Sequence, residues 1–178
     1  MKPIVGIVVG SDSDLPLIRE TTGVLEKLGI PFEITIGSAH RTPDRVAEYA
    51  STANDRGIRV IIAAAGLSAH LPGVIASKTP LPVIGIPVDS GPLGGVDALY
   101  SIVQMPGGVP VAAMAIGRAG ARNAGIFAAQ ILALTDSQIA ERLADYRRQM
   151  AESVESKADE LAEMGLTRYI EERLKQSK

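Results

Sequence analysis

The sequence predicts a doubly wound α/β domain of three layers followed by a helical extension. Three observations predict it. Short runs rich in Val and Ile recur through the chain up to Ile116. They are apolar at nearly every position, as strands covered on both faces are. Each is separated from the next by a segment with helical spacing. Parallel strands joined by right-handed helical crossovers put helices on both faces of one sheet, the flavodoxin-like arrangement.

Each element has its own local reason. Pro3–Val9 (PIVGIVV) is the first strand, and Leu15–Leu28 is a helix closed by Gly29. Phe32–Ile36 (FEITI) is the second strand. The next helix starts at Thr42-Pro43, an N-cap and a first helical residue, and closes near Gly57. Arg59–Ala65 (RVIIAAA) is the third strand, followed by a short helix over Ala69–Ser77. Pro82–Ile86 (PVIGI) is the fourth, and the Pro/Gly-rich loop Pro87–Gly95 leads to a helix at Val96–Gln104. Val109–Ile116 (VPVAAMAI) is the fifth strand, and Arg122–Leu134 is helical.

The remainder behaves differently. Thr135 with Gln138 matches a capping box. Ile139, Leu143, Tyr146, Met150 and Val154 then form one apolar stripe on a long helix. Gly165 breaks it, and a shorter helix carries Leu166, Ile170 and Leu174. The expectation is a single domain over 1–178, with a core over 1–134 and a helical tail over 135–178 that packs on its own domain or, as the length of the helix favours, at a subunit interface.

Composition excludes several function classes. Lys and Arg number 18 against 20 Asp and Glu, so no basic surface points to nucleic acid or an anionic membrane. With no Trp, four Tyr and two Phe, base-stacking platforms are not expected. The absence of Cys removes disulfides, thiolate catalysis and Cys-based zinc sites, and it suits a reducing compartment. The opening MKPIVGIVV has one Lys and too short an apolar run for a signal peptide, and no stretch approaches the ~18 apolar residues of a membrane span. A cytoplasmic location is the expectation.

In doubly wound sheets the ligand crevice lies outside the carboxyl ends of the strands. Three unusual segments fall there: GSDSD after the first strand, GSAHRTP after the second and AAAGLSAHLPG after the third. The chain has only two histidines, His40 and His70, and both lie in these loops. Ser38, His40 and Arg41 stand just before a helix N-terminus, which favours an anion, and Arg41 adds a planar cationic fork suited to phosphate or carboxylate. GSDSD is neither the G-x-G-x-x-G fingerprint nor a P-loop. It also lacks the acidic partner after the third strand that a receiver domain needs. No metal-ligand spacing is present. Either Asp14 caps the helix at Leu15-Pro16, or its carboxylate accepts from neutral donors such as sugar hydroxyls. In the second case Ser11 and Ser13 with the backbone face a phosphate. Asp12 has no role in either reading. Gly66, Ala69 and Gly73 permit close backbone approach around Ser68 and His70, as a pocket wall requires. Asp89–Gly108 suits a covering loop, and GRAGARNAG (Gly117–Gly125) suits a close-packed helix start.

Together GSDSD, SAHRTPD, AHLPG and YSIVQMPGGVPVA resemble the N5-carboxyaminoimidazole ribonucleotide mutases, the catalytic-subunit type of phosphoribosylaminoimidazole carboxylase in purine biosynthesis. The resemblance runs from about Val5 to Leu134 in the same order. It implies a three-layer α/β fold, a homo-octamer with contributed tail helices, and no metal or organic cofactor. It also implies a ribonucleotide substrate and, for a mutase, functional pairing with an ATP-dependent carboxylating synthetase. Ser11, Asp14 and Arg41 match the family's substrate-binding residues and His40 its catalytic histidine. Ser13, Ser38, Gly66 and His70 fall in the same matched segments as further binding or wall positions. Leu67 and Ser68 stand where mutases commonly have a small pair. Gly37 is shared with some members of the related class that carboxylates aminoimidazole ribonucleotide directly with CO2. A direct carboxylase on the same residues is therefore the alternative, and a non-catalytic nucleotide-binding module is the third reading.

Overall fold

The computed structural model describes residues 2–176; the last two residues of the expected tail lie outside the described residues. Five parallel strands, β1 (Val5–Val9), β2 (Phe32–Ile36), β3 (Val60–Ala65), β4 (Val83–Pro87) and β5 (Ala112–Ala113), stand in the order β2-β1-β3-β4-β5. The crossovers are α1 (Leu15–Lys27), α2 (Pro43–Arg56), α3 (Leu71–Ala76) and α4 (Val96–Val103), and α5 (Gly117–Ala133) follows β5. The doubly wound architecture expected from the sequence is present.

β1, β3 and β4 are buried at every position, as their unbroken Val, Ile and Ala runs require. Alternate side chains serve opposite faces. Val8, Ile61 and Ala63 join Val46, Ala50, Ile75 and Ile102 of α2, α3 and α4 in one core cluster. On the other face α5 lies close along α1: Thr21 Oγ1 donates to the carbonyl of Ala121 at 2.7 Å. The edge strand β2 is less covered, leaving Ile34 and Ile36 exposed.

Two expected elements differ in their bounds by more than two residues, each for a visible reason. β5 contributes only Ala112 and Ala113, rather than Val109–Ile116. It is an edge strand, and Pro110 has no N–H for a ladder; after Met114 N donates to Gly85 O at 2.9 Å the chain leaves the sheet. α5 begins at Gly117 rather than Arg122. Low helix propensity hides its first turn in the sequence, but Gly120 is there because a Cβ would collide with the Ala115 carbonyl.

The chain divides into two compact units, one ending at Ala140 and the other beginning at Glu141. The long helix α6 (Ser137–Met164) is capped by Asp136, whose Oδ1 accepts from the N–H groups of Gln138 (2.9 Å) and Ile139 (3.1 Å). The expected cap, Thr135, instead donates to the Leu132 carbonyl. In the second unit Gly165 separates α6 from α7 (Leu166–Gln176), and Arg173 pairs with Glu160 at 3.0 Å. Met150, Val154, Leu161, Leu166, Ile170 and Leu174 are exposed.

Candidate active site

The strand order reverses at β1, which lies between β2 and β3, so the loops leaving β1 and β3 diverge over opposite faces and open a crevice. Backbone bonds hold the rim. Gly10 N donates to Ala64 O (3.1 Å), Gly37 N to Val9 O (3.0 Å) and Val88 N to Ala65 O (3.0 Å).

The first loop does not enter α1 directly. Asp12–Asp14 form a single 3-10 turn, capped by Ser11, whose Oγ accepts from Ser13 N at 3.3 Å and from Ser13 Oγ at 2.9 Å. Asp14 precedes α1 but makes no side-chain cap bond to it, so the capping explanation of this aspartate fails. Its side chain is buried, and Ser13 Oγ donates to it at 3.4 Å. Burial pushes the carboxyl above its ordinary range, and hydrogen bonding from Ser13 and the Ser11 backbone offsets this only partly.

The second loop closes on itself. Thr42 makes no cap bond to α2. Its hydroxyl accepts from Ser38 N at 2.9 Å and donates to Ser38 O at 3.2 Å, while Ser38 Oγ accepts from Arg41 N at 3.2 Å. This tight ring leaves His40 and Arg41 exposed on its outer side. Arg41 reaches across to the first loop, where Nη2 donates to Gly10 O at 3.4 Å.

The third loop turns sharply. Leu67 is the one non-glycine residue at positive φ (55°) among the described residues. Ala69 N donates to Leu67 O and His70 N to Ser68 O, at 2.8 and 2.7 Å. These successive tight turns carry His70 toward the second loop. His70 Nδ1 and His40 Nε2 lie 2.7 Å apart, with the rings edge to face at 86°. One proton between them makes one nitrogen donor and the other acceptor.

These loops enclose a cleft of about 700 Å³ lined by Gly10, Ser11, Ser13, Asp14, Ser38, Ala39, His40, Arg41, Ala65, Gly66, Leu67, Ser68, His70, Leu71 and Ser90. All eight residues singled out from the sequence, Ser11, Ser13, Asp14, Ser38, His40, Arg41, Gly66 and His70, line it. Arg41 and Asp14 are its only permanently charged or carboxylate side chains among those lining residues. Ser90 went unnoticed in the sequence. Its signal is indirect: it follows a buried strand, β4, at the carboxyl edge, and Gly66 has no Cβ because Ser90 Oγ occupies that place. A second cleft of about 670 Å³ shares Gly10, Ser11, Ser38 and Arg41 and adds Asp12, Thr42 and Arg45. Among the described residues no group of three His, Cys, Asp or Glu side chains is placed to hold a metal ion.

A doubly wound sheet whose switch-point cleft pairs a cationic fork with a buried carboxylate and two bonded imidazoles defines a class: an enzyme acting on a small polar molecule. Comparison with known proteins narrows the class. The family model described as AIR carboxylase matches residues 4–153. The N5-carboxyaminoimidazole ribonucleotide mutase of Pyrococcus horikoshii is 56% identical over 171 residues, covering 96% of both chains. That of Thermotoga maritima is 54% identical, covering 96% of this chain and 99% of its own. The phosphoribosylaminoimidazole carboxylase of Schizosaccharomyces pombe is 52% identical over 94% of this chain, which spans 30% of that longer protein. Among solved structures, Treponema denticola PurE superposes with a TM-score of 0.80 at 30% identity, covering 89% of this chain and 98% of its own. The chain belongs to the AIR carboxylase family.

Proposed function

We infer that this protein interconverts N5-carboxyaminoimidazole ribonucleotide and 4-carboxyaminoimidazole ribonucleotide in purine biosynthesis, an isomerase reaction. The observation that carries the reading is the meeting of the chain's two histidines, 2.7 Å apart, in the one cleft that also holds Ser11, Asp14, Ser38 and Arg41. Near-full-length identity to proteins named as mutases supports the particular reaction.

The chemistry follows from the donor set. Asp14 accepts from ribose hydroxyls, which explains a carboxylate that caps nothing. Ser11, Ser13, Ser38 and Arg41 meet the anionic groups. The N5–carboxylate bond breaks, its electron pair goes to N5, and N5 takes a proton from the protonated His40. The CO2 released stays beside the small walls of Ala39, Ala65 and Gly66, where the imidazole C4 attacks it. C4 then bears both the new carboxylate and its original hydrogen. Neutral His40 removes that proton, the ring regains aromaticity, and the histidine returns to its starting state. His70, bonded to His40, selects the tautomer and orientation of the catalytic ring.

The same residues suit direct carboxylation of aminoimidazole ribonucleotide, and the fungal relatives named as carboxylases contain the matching segment within a longer chain. One assay separates the two. Purified protein receives either N5-carboxyaminoimidazole ribonucleotide, or aminoimidazole ribonucleotide with bicarbonate, and the 4-carboxy product is followed. Efficient turnover of the first is expected; turnover of the second alone would replace the mutase reading. His40→Asn should abolish interconversion while ligand binding stays measurable, and near-normal turnover would remove His40 from its role.

The wider reading is a cytoplasmic homo-octamer with tail helices at its interfaces, working after an ATP-dependent synthetase that makes the carbamate. The exposed apolar residues of α6 and α7 support the interface.

A further inference from the structure

We propose that Leu67 is a specificity-determining residue: its side chain closes the seam between the loops after β3 and β4, and so keeps released CO2 in the cleft until C4 captures it. The proposal rests on the mutase reading and deepens it. It names what makes the transfer internal rather than an exchange with dissolved CO2.

The two loops interlock reciprocally. At the base of the seam, where Ala65 stands beside Pro87 in the ladder, Val88 N donates to the Ala65 carbonyl at 3.0 Å. One step outward Gly66 has no side chain, and Ser90 Oγ occupies the place of its missing Cβ. One step further the roles reverse. Gly91, at φ 82°, has no side chain, and Leu67 Cδ2 occupies the place of its missing Cβ. Each loop thus supplies one glycine and one side chain, and each side chain lies in the hollow left by the other loop's glycine.

Leu67 holds this place against its own preferences. At φ 55° its Cβ crowds the following carbonyl, a conformation no other non-glycine residue adopts among those described. The bond from Ala69 N to Leu67 O (2.8 Å) and the seat on Gly91 keep it there. The side chain is also 52% exposed while lining the cleft, whereas the cleft's other leucine, Leu71, is 2% exposed. Strain and exposure together at a cleft rim point to a role beyond packing.

The chemistry of CO2 supplies that role. The molecule is uncharged, has no net dipole and donates no hydrogen bond, so Arg41 and the serines cannot grip it as they grip an anion. Walls must retain it instead. The inner walls are Ala39, Ala65 and Gly66, and Gly66 belongs to the seam, with Leu67 the next residue outward. With the seam shut, CO2 formed beside Gly66 stays within reach of C4. Without the Leu67 side chain the outer closure is lost, and escape to solvent competes with capture.

The fate of the carboxyl group tests this. Enzyme in excess receives unlabelled N5-carboxyaminoimidazole ribonucleotide for a single turnover in isotopically labelled bicarbonate, held at equilibrium with CO2. Two ratios are read after subtracting decay without enzyme: free aminoimidazole ribonucleotide to 4-carboxy product, and labelled to unlabelled 4-carboxy product. Being ratios, they do not depend on how fast a variant turns over. In Leu67→Gly each should rise about tenfold, the scale on which deleting an apolar group changes discrimination in a pocket. Glycine adopts φ 55° freely, so the loop keeps its path. Leu67→Asn, a second short side chain tolerant of positive φ, should leak likewise. Leu67→Met keeps a long apolar side chain and should hold both ratios near those of the unaltered enzyme. Unchanged ratios in the two short variants would overturn the proposal, as would a Met variant that leaks as much as they do. Unchanged ratios with a lower mass by light scattering would give Leu67 to a contact with a second copy instead. Full label incorporation by the unaltered enzyme would also overturn it, while leaving the mutase reading standing. Failure of that reading looks different: the unaltered enzyme would form no 4-carboxy product from this substrate.

Discussion

At the scale of single residues, Asp14 shows how a motif's meaning depends on burial. In the sequence it has two explanations, helix cap or sugar ligand, and both fit an aspartate before Leu15-Pro16. The structure removes the first, because the side chain caps nothing and is instead buried at the cleft wall. Holding a carboxylate there costs stability. Its folded pKa lies above the unfolded value near 3.8, so the protonated form is favoured in the fold, and the penalty grows as pH rises through the folded value. Asp14→Asn should therefore raise Tm at neutral pH. The gain should vanish as pH falls below about 3.8, and KM should rise tenfold or more through the lost acceptor. Unfolding curves of both proteins across pH, with KM at one pH, check this; a less stable Asn variant at neutral pH would contradict it. The histidines differ in legibility. Their loops were evident from the sequence, but their 2.7 Å contact was not, since it depends on backbone turns at Leu67 and Ser68.

Elements were legible wherever apolar period and helix punctuation agreed, as for β1, β3 and α2. They were misjudged where the local signal conflicts with packing. Glycines in α5 lower helix propensity, yet Gly120 allows the close fit to Ala115 at its start and Gly125 the close fit to Thr21 and Val24 in its middle. The loop after β3 carries the same lesson into the site. Gly66 lies against Ser90, and a methyl group there would meet the serine hydroxyl directly. Gly66→Ala should destabilise by about 1–3 kcal/mol through overpacking and lower turnover. The double variant Gly66→Ala with Ser90→Gly should recover most of the lost stability. Denaturant titrations of the two would show it; a single variant as stable as the parent would mean that the loops yield without cost.

For the whole molecule, function turns on one topological fact: β1 lies between β2 and β3, so three loops separated in sequence share one edge. The assembly is the remaining question at this scale. Exposed Val154 on α6 belongs to an apolar stripe in an otherwise charged helix. On the octamer proposed above, Val154→Glu should lower the mass measured by light scattering below that of eight copies, with the helix content unchanged. An unaltered mass would place the interface elsewhere. By itself the sequence determined the layers, the order of strands and helices, and the eight candidate residues, because hydrophobic period and loop chemistry are local properties. Only the tertiary structure decided that Asp14 caps nothing, that His40 meets His70, and that Ser90 lines the first cleft and Arg45 the second. Those facts depend on distances between segments far apart in the chain, which packing of the sheet sets and no local pattern records.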